Sequence, residues 1–202
     1  MKNKTVILCD IDGVIINGRP SDNKRWCEYL DIDLGVDISR ITEEFFNVHW
    51  KEVIRGKKSL KPTISNILSE MYPKVDTEVF LKYWFENDSG VDNNLLNSLK
   101  KLKNSGKRLY LATDQEHERK NYLYHTLGLN KTFEDIFYSA EFGYTKSEDG
   151  YWRTLKEKLT EFNTNDMLFI DDRQINIDKA KEHGIEGYLY TNFANAIKDK
   201  VF

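Results

Sequence analysis

The sequence predicts an α/β protein in which helices cover both faces of a parallel, doubly wound β-sheet. Short apolar segments alternate with amphipathic stretches of about ten to fifteen residues, a pattern typical of β–α–β units. The first apolar segment, residues 6–9, has no polar interruption, as expected for a strand buried on both faces of a parallel sheet. Residues 21–87 contain no strand-like segment. We therefore expect a helical insertion behind the first strand.

Five strands are predicted from the apolar segments. They are residues 6–9, 108–112, 136–139, 167–170 and 188–190. The helices predicted between and after them carry Leu95 to Leu102, run through Tyr122 to Gly128, and span residues 151–162, 175–183 and 194–200. Gly106 and Gly128 each follow a helical segment, and glycine is a common residue at that position.

The insertion is predicted to be an all-helical unit of residues 18–87, so that residues 1–17 and 88–202 form the α/β core. Its first helix is expected to include Trp26, Tyr29 and Leu30. The second helix is capped by Asp37 or Ser39 and carries on one face Ile38, Ile41, Phe45 and Val48. The third helix runs from Ser59 to Pro73. The fourth is capped by Asp76 and carries on its apolar side Val79, Phe80, Tyr83 and Trp84.

The composition bounds the possible partners and compartment. The formal net charge of −3 does not favour nucleic acid as a partner, and no stretch approaches the length of a membrane span. Cys9 and Cys27 are the only cysteines. Two unpaired thiols, one of them in a predicted buried strand, indicate a reducing cytoplasm. We expect a monomer or a weak dimer.

Polar side chains follow several predicted strands. They are Asp10 and Asp12 after the first strand, Thr113 after the second, Lys146 in the loop beyond the third, and Asp171 and Asp172 after the fourth. The carboxyl ends of parallel strands meet at one edge of a sheet, so these groups should converge. Four carboxylates there require a cation, and oxygen ligands favour Mg²⁺ over zinc. Because D-x-D-G alone fits an Asx turn equally well, the prediction depends on the whole set.

The residues resemble the four motifs of the haloacid dehalogenase-like hydrolases, in order. The matching segments are D-I-D-G-V at 10–14, L-A-T at 111–113, Lys146, and I-D-D-R-Q-I-N-I at 170–177. The helical insertion falls where this family carries its cap, and its position resembles the C1 class with an all-helical cap. The resemblance implies a Rossmann-like sheet in the order 3-2-1-4-5, with the nucleophile strand at its centre.

The resemblance also implies residue roles. Asp10 would attack phosphorus to form an aspartyl-phosphate, and Asp12 would act as the general acid and base. Thr113 and Lys146 would bind the phosphoryl group, with Gly13 and Asp114 beside them. Asp172 would bind Mg²⁺ together with Asp10 and the Asp12 backbone carbonyl, and Asp171 would be a further ligand or a support for the others.

These roles imply a Mg²⁺-dependent phosphatase that hydrolyses a small phosphorylated metabolite. The second acid, Asp12, is absent from the dehalogenases of this family, which argues for phosphate chemistry. Two alternatives remain open: a phosphomutase acting on a sugar phosphate, and a phosphoryl-binding regulatory module with little turnover. A receiver domain is rejected, because its phosphate-accepting Asp lies on a later strand than its acid pair.

Several further residues bear on specificity. Arg55 and Lys57 are candidate specificity residues. In similar caps, the loop that contains a glycine at the position of Gly56 often approaches the active site. The alternative interpretation of residues 55–59 is a solvent-exposed basic turn. Trp26, Trp50 and Trp84 are assigned to the cap core, with one facing the substrate as the alternative. The sequence departs from the family pattern in two residues: Asp114 stands where relatives commonly have Asn, and Ser147 where many have Pro.

Overall fold

The computed structural model describes residues 4–201 and confirms the predicted sheet. Its five parallel strands lie in the order β3-β2-β1-β4-β5. They are β1 (Val6–Cys9), β2 (Arg108–Thr113), β3 (Asp135–Tyr138), β4 (Met167–Asp171) and β5 (Glu186–Leu189). β1 is the central strand, and all four of its side chains are apolar and buried, as expected where both faces of the sheet are covered.

The sheet separates two apolar layers. Side chains alternate between the faces of a strand, so Ile7 and Cys9 belong to one layer while Val6 and Leu8 belong to the other. The core helices are α6 (Asn93–Asn104), α7 (His117–Asn121), α8 (Ser139–Phe142), α9 (Asp149–Lys158), α10 (Gln174–Glu182) and α11 (Phe193–Lys198). α7 continues as a π-helical turn, Tyr122–Thr126, and 3₁₀ turns lie at Leu129–Lys131 and Thr164–Asp166.

The inserted segment is helical, as predicted. Its helices are α1 (Leu30–Leu34), α2 (Ile38–Ile41), a π-helical turn (Thr42–Phe46), α3 (Trp50–Val53), α4 (Leu60–Met71) and α5 (Thr77–Asn87). Asp37 and Asp76 cap α2 and α5 through their carboxylates. The segment has its own apolar core, where Trp26 stacks on Trp84 at 5.2 Å between ring centroids. The domain boundaries at 17/18 and 87/88 stay a prediction.

Two predictions about these helices are wrong. The chain before Leu30 is turns rather than helix, because the Asp22 carboxylate accepts the Lys24 backbone N–H and Asn23 takes a positive φ of 58°. Such local bonds compete with helix formation. The single helix predicted from Ile38 onward is broken by the π-helical turn, which shifts the helical periodicity. Val48, which follows that turn, is consequently 58% exposed rather than in the core.

A third difference concerns Val79: its spacing predicts a place on the apolar side of α5, but the side chain is half-exposed. The buried face of α5 is set by Phe80, Leu81, Trp84 and Phe85, so Val79 lies at its margin.

The ends of the insertion meet at two glycines. The Asn17 N–H donates to the Gly90 carbonyl and the Gly90 N–H to the Gly18 carbonyl, each at 2.8 Å. A Cβ on Gly90 would lie 2.8 Å from that Gly18 oxygen, so only glycine allows the two backbones to approach this closely.

Across residues 4–201, none of the helices is both long enough and apolar enough to cross a lipid bilayer.

Candidate active site

The carboxyl ends of β1, β2 and β4 surround a cavity of about 450 Å³. Seven of the predicted site residues line it: Asp10, Asp12, Gly13, Thr113, Asp114, Lys146 and Asp172. The insertion contributes Trp50 and Ile54 to the opposite wall. The parallel sheet therefore brings together groups that are more than 150 residues apart in the chain.

Lys146 is a buried cation between two carboxylates. Its Nζ lies 2.6 Å from Asp10 Oδ1 and 2.6 Å from Asp171 Oδ2, and its side chain is 2% exposed. Burial alone would lower the pKa of Lys146, but the charges of Asp10 and Asp171 outweigh burial, so its pKa lies above the ordinary value. The ammonium therefore stays charged at the centre of the site.

The charge of Lys146 does not fully compensate for the burial of the Asp10 carboxylate. Burial raises the pKa of Asp10 well above its ordinary value; Lys146 opposes that rise and the nearby Asp171 adds to it. An additional cation beside the carboxylate would favour its ionised form. The site thus has the electrostatic character of one that binds a metal ion.

The acidic cluster fits Mg²⁺. Carboxylate oxygens of Asp10, Asp171 and Asp172 lie within 4.8 Å of one another. Asp171 is fully buried and accepts hydrogen bonds from Lys146 Nζ, Asn176 Nδ2 and the Arg173 backbone N–H. Asp172 is exposed toward the cavity, and burial followed by the charge of Asp171 raises its pKa. Asp10 and Asp172 therefore offer oxygens to a cation, while Asp171 holds Lys146.

Gly13 makes room for Asp172. Gly13 has a φ of +78°, and a Cβ on it would lie only 2.3 Å from Asp172 Oδ2. Any other residue would collide with the carboxylate as well as strain the backbone. The D-x-D-G turn is consequently part of the candidate metal site and not only a strand terminator.

Thr113 carries a buried hydroxyl whose hydrogen-bonding capacity is unused. The side chain is 1% exposed and lines the cavity, and its Oγ1 has no hydrogen-bond partner within residues 4–201. Leaving a buried hydroxyl unpaired costs about 1–3 kcal/mol. A ligand with acceptor oxygens in the cavity would satisfy it.

Asp114 and Glu148 brace the loop that carries Lys146. The Lys146 backbone N–H donates to Asp114 Oδ1 at 2.9 Å, and burial raises the pKa of Asp114. The Thr145 backbone N–H and hydroxyl both donate to Glu148 Oε2, at 2.8 and 2.9 Å. Ser147 lies in the same network, with its Oγ 3.1 Å from Thr145 Oγ1. These bonds hold the loop in place although a serine, and not a proline, follows Lys146.

Asp12 is held by two residues that the sequence reasoning missed. Arg119 Nη2 donates to Asp12 Oδ1 at 2.6 Å, and Gln115 Nε2 donates to Oδ2 at 2.5 Å. Both side chains are at most 3% exposed. Gln115 precedes the N-cap of α7, so no helical spacing connects it with Arg119. The available signal was that both residues closely follow Thr113 at the carboxyl end of β2.

The specificity residues predicted from the sequence do not line the cavity. Arg55 instead forms an ion pair with Glu148 at 2.8 Å, and Lys57 is exposed. The loop does approach the core: Ser139 Oγ donates to the Ile54 carbonyl at 2.6 Å, and a Cβ on Gly56 would lie 2.3 Å from the Ala140 oxygen. With this packing, Ile54 lines the cavity and Arg55 contacts Glu148 in the α/β part of the chain.

The structure places the tryptophan Trp50 at the cavity and the histidine His117 near the carboxyl edge of the sheet. Trp50 lines the cavity while it also packs on Phe45, Phe46 and Trp84, so it joins the apolar core of the insertion and faces the site. His117 lies near the carboxyl edge of the sheet, where its Nδ1 is 3.2 Å from the Tyr138 hydroxyl.

Comparison with known proteins identifies the family. A family model described as haloacid dehalogenase-like hydrolase matches residues 4–184. The chain therefore belongs to the haloacid dehalogenase-like hydrolases, a family of enzymes. A comparison with curated protein sequences finds no match.

Solved structures share the fold over nearly the whole chain. A HAD family enzyme of Bacteroides thetaiotaomicron is 20% identical with a TM-score of 0.77, and the match covers 98% of both chains. The same enzyme as a mutant in complex with magnesium and inorganic phosphate is 23% identical with a TM-score of 0.72, covering 92% of this chain and 93% of that one. A predicted HAD-like family hydrolase of Porphyromonas gingivalis is 16% identical with a TM-score of 0.76, covering 98% and 97%.

Proposed function

We propose that this hydrolase is a Mg²⁺-dependent phosphatase that cleaves a small phosphomonoester through an aspartyl-phosphate on Asp10. The observation that carries the proposal is the buried, unpaired Thr113 hydroxyl in the same cavity as the Asp10–Lys146 ion pair. A phosphoryl group placed there would accept from the hydroxyl and the ammonium while its phosphorus faces the Asp10 carboxylate. The Bacteroides thetaiotaomicron enzyme, solved with magnesium and inorganic phosphate, supports this choice of ligand.

In the first step, an Asp10 oxygen attacks phosphorus and a new P–O bond forms. The bond to the leaving oxygen breaks with its electron pair, and that oxygen takes a proton from Asp12. In the second step, Asp12 takes a proton from water, the water oxygen attacks phosphorus, and the bond to Asp10 breaks. Lys146 remains charged beside Asp10 throughout and offsets the negative charge.

Asp10 and Asp172 are the residues that would hold Mg²⁺, with the Asp12 backbone carbonyl implied by the family resemblance. When bound, the ion supplies positive charge that polarises the phosphoryl oxygens. Asp171 serves the site indirectly, because its oxygens are taken up by Lys146, Asn176 and the Arg173 N–H. The size of the cavity and its cap-derived wall favour a small metabolite.

A panel of phosphorylated sugars, nucleotides and cofactors, assayed for free phosphate and for isomer formation, tests the proposal. We expect phosphate release from at least one substrate. Asp10→Asn, which keeps the side-chain shape, should abolish that release and leave the thermal midpoint of the fold in place. Isomer in excess of phosphate would favour a phosphomutase over the phosphatase, and no product on any substrate with Mg²⁺ present would favour a phosphoryl-binding module.

A further inference from the structure

Asp12 is connected to the returning end of the cap through one buried guanidinium. Arg119 Nη2 donates to Asp12 Oδ1 at 2.6 Å and to the Asp88 carbonyl at 3.1 Å, while Nη1 donates to Asp88 Oδ2 at 2.8 Å. Asp88 follows the last helical residue of α5. The side chain of Arg119 is 3% exposed, against 46% for Asp12. Arg119 is therefore the buried member of the pair, with three hydrogen bonds, whereas Asp12 is partly open to the cavity.

The guanidinium fork suits this task. Its donors are coplanar and fixed relative to one another, so the contacts with Asp88 determine where Nη2 lies and hence where the Asp12 carboxylate lies. Gln115 donates to the other Asp12 oxygen. A carboxylate has about four acceptor sites, so two donors orient it and leave others for a proton.

The backbone of Arg119 is also held in place. Glu116 caps α7 by accepting the backbone N–H groups of Glu118 and Arg119 at 2.6 and 2.5 Å. Glu116 is 1% exposed. The segment from Gln115 to Arg119 is thus anchored to the carboxyl end of β2, next to Thr113. A chain of short contacts runs from the sheet through α7 to Asp12 and Asp88.

We infer that Arg119 is a positioning residue: it sets the orientation of the Asp12 carboxylate for proton transfer and links that orientation to the return of the cap at Asp88. The inference rests on the proposed phosphatase function, in which Asp12 protonates the leaving group. It is independent of the roles of Thr113 and Lys146, the two buried groups proposed to bind the phosphoryl oxygens. Arg119 touches no reacting atom and acts through Asp12.

Leaving-group dependence provides the test. kcat/KM reports the steps up to the first chemical transfer. Nitrophenolate leaves without a proton, whereas an alkoxide needs one, so an orientation defect at Asp12 should affect alkyl phosphates selectively. Arg119→Met, which keeps the apolar stem, should lower kcat/KM for an alkyl phosphate by roughly 10²-fold, the lower end for a positioned acid. The loss for p-nitrophenyl phosphate should be much smaller. Arg119→Lys should restore part of the alkyl phosphate activity.

A double-mutant cycle separates positioning from a structural role. In an Asp12→Ala background, Arg119→Met should cause no further loss, because the group through which it acts is gone. Arg108→Met is the matched control, since Arg108 forms an exposed ion pair with Glu134 at the opposite end of β2. It should leave both substrates unaffected. Equal losses on the two substrates, or additive losses in the cycle, would overturn the inference while the phosphatase stands.

A second variant covers the case in which Arg119→Met does not fold. Asp88→Asn keeps the size of the side chain and the carbonyl contact but removes the charge that holds Nη1. It should produce the same selective loss on the alkyl phosphate, smaller in size. Asp88→Asn with unchanged substrate selectivity would overturn the inference. A parent enzyme that releases no phosphate from either substrate would overturn the proposed function, and the inference with it.

Discussion

Gly13→Ala is the substitution whose effect the structure defines most sharply. The added Cβ would lie 2.3 Å from Asp172 Oδ2, and ordinary contact begins at 3.4 Å, so the carboxylate must retreat by about 1.1 Å. A misplacement of about 1 Å in a catalytic site can cost about 10²-fold in rate. The positive φ of +78° adds a backbone cost of about 1–2 kcal/mol. We therefore expect weakened Mg²⁺ binding beyond a modest loss of stability.

The assay separates these two effects. Mg²⁺ binding is followed by calorimetry and by the Mg²⁺ concentration that gives half-maximal phosphate release, and we expect at least a tenfold weakening. Gly35→Ala is the matched control, because Gly35 has a φ of +68° and a Cβ there would have no atom within 4 Å among the described residues. Both variants should lose about 2–8 °C in Tm. Unchanged Mg²⁺ binding in Gly13→Ala would refute the assignment of Asp172 to the metal site.

Three more predictions follow. EDTA should abolish phosphate release, and Mg²⁺ should restore it while Ca²⁺ restores little, because Ca²⁺ takes longer bonds and more ligands; full activity without metal would contradict this. Burial raises the pKa of Glu116 to about 9, so the folded state keeps a proton that the unfolded chain releases above pH 4.5. Stability should therefore fall as pH rises from about 5 to 9, and Glu116→Gln should flatten that fall in Tm; an unaltered slope would count against it. Trp50→Ala should raise KM for the best panel substrate more than Lys57→Ala does, because only Trp50 lines the cavity; equal KM values would oppose this.

The sheet and most of the candidate site were predictable from the sequence. An unbroken apolar strand is typical of a parallel sheet covered on both faces, and a polar residue directly after such a strand lies at its carboxyl edge. The positions of Asp10, Thr113 and Asp172 around one cavity follow from these two constraints. The central place of the first strand was implied by the family resemblance alone. The helical content of the insertion likewise follows from local periodicity and capping residues such as Asp76.

Local patterns failed where tertiary contacts decide the outcome. A π-helical turn changes the face on which Val48 lies, and a sequence read at a fixed period of 3.6 residues does not register it. The direction of the Arg55 side chain depends on its ion pair with Glu148, which lies outside the insertion, and not on the basic turn in which Arg55 lies. The approach of the Ile54 carbonyl to Ser139 decides which cap side chains face the cavity.

The sequence by itself determined the order of the elements and the groups delivered to the carboxyl edge, because strand burial and strand ends are local properties of the chain. Only the tertiary structure decided which partner each charged group takes. Lys146 pairs with Asp10 and Asp171, and Arg119 with Asp12 and Asp88, across separations of 25 to 136 residues. Such pairs are selected by distance in the folded chain, since the energy of two charges depends on their separation in space and on their burial.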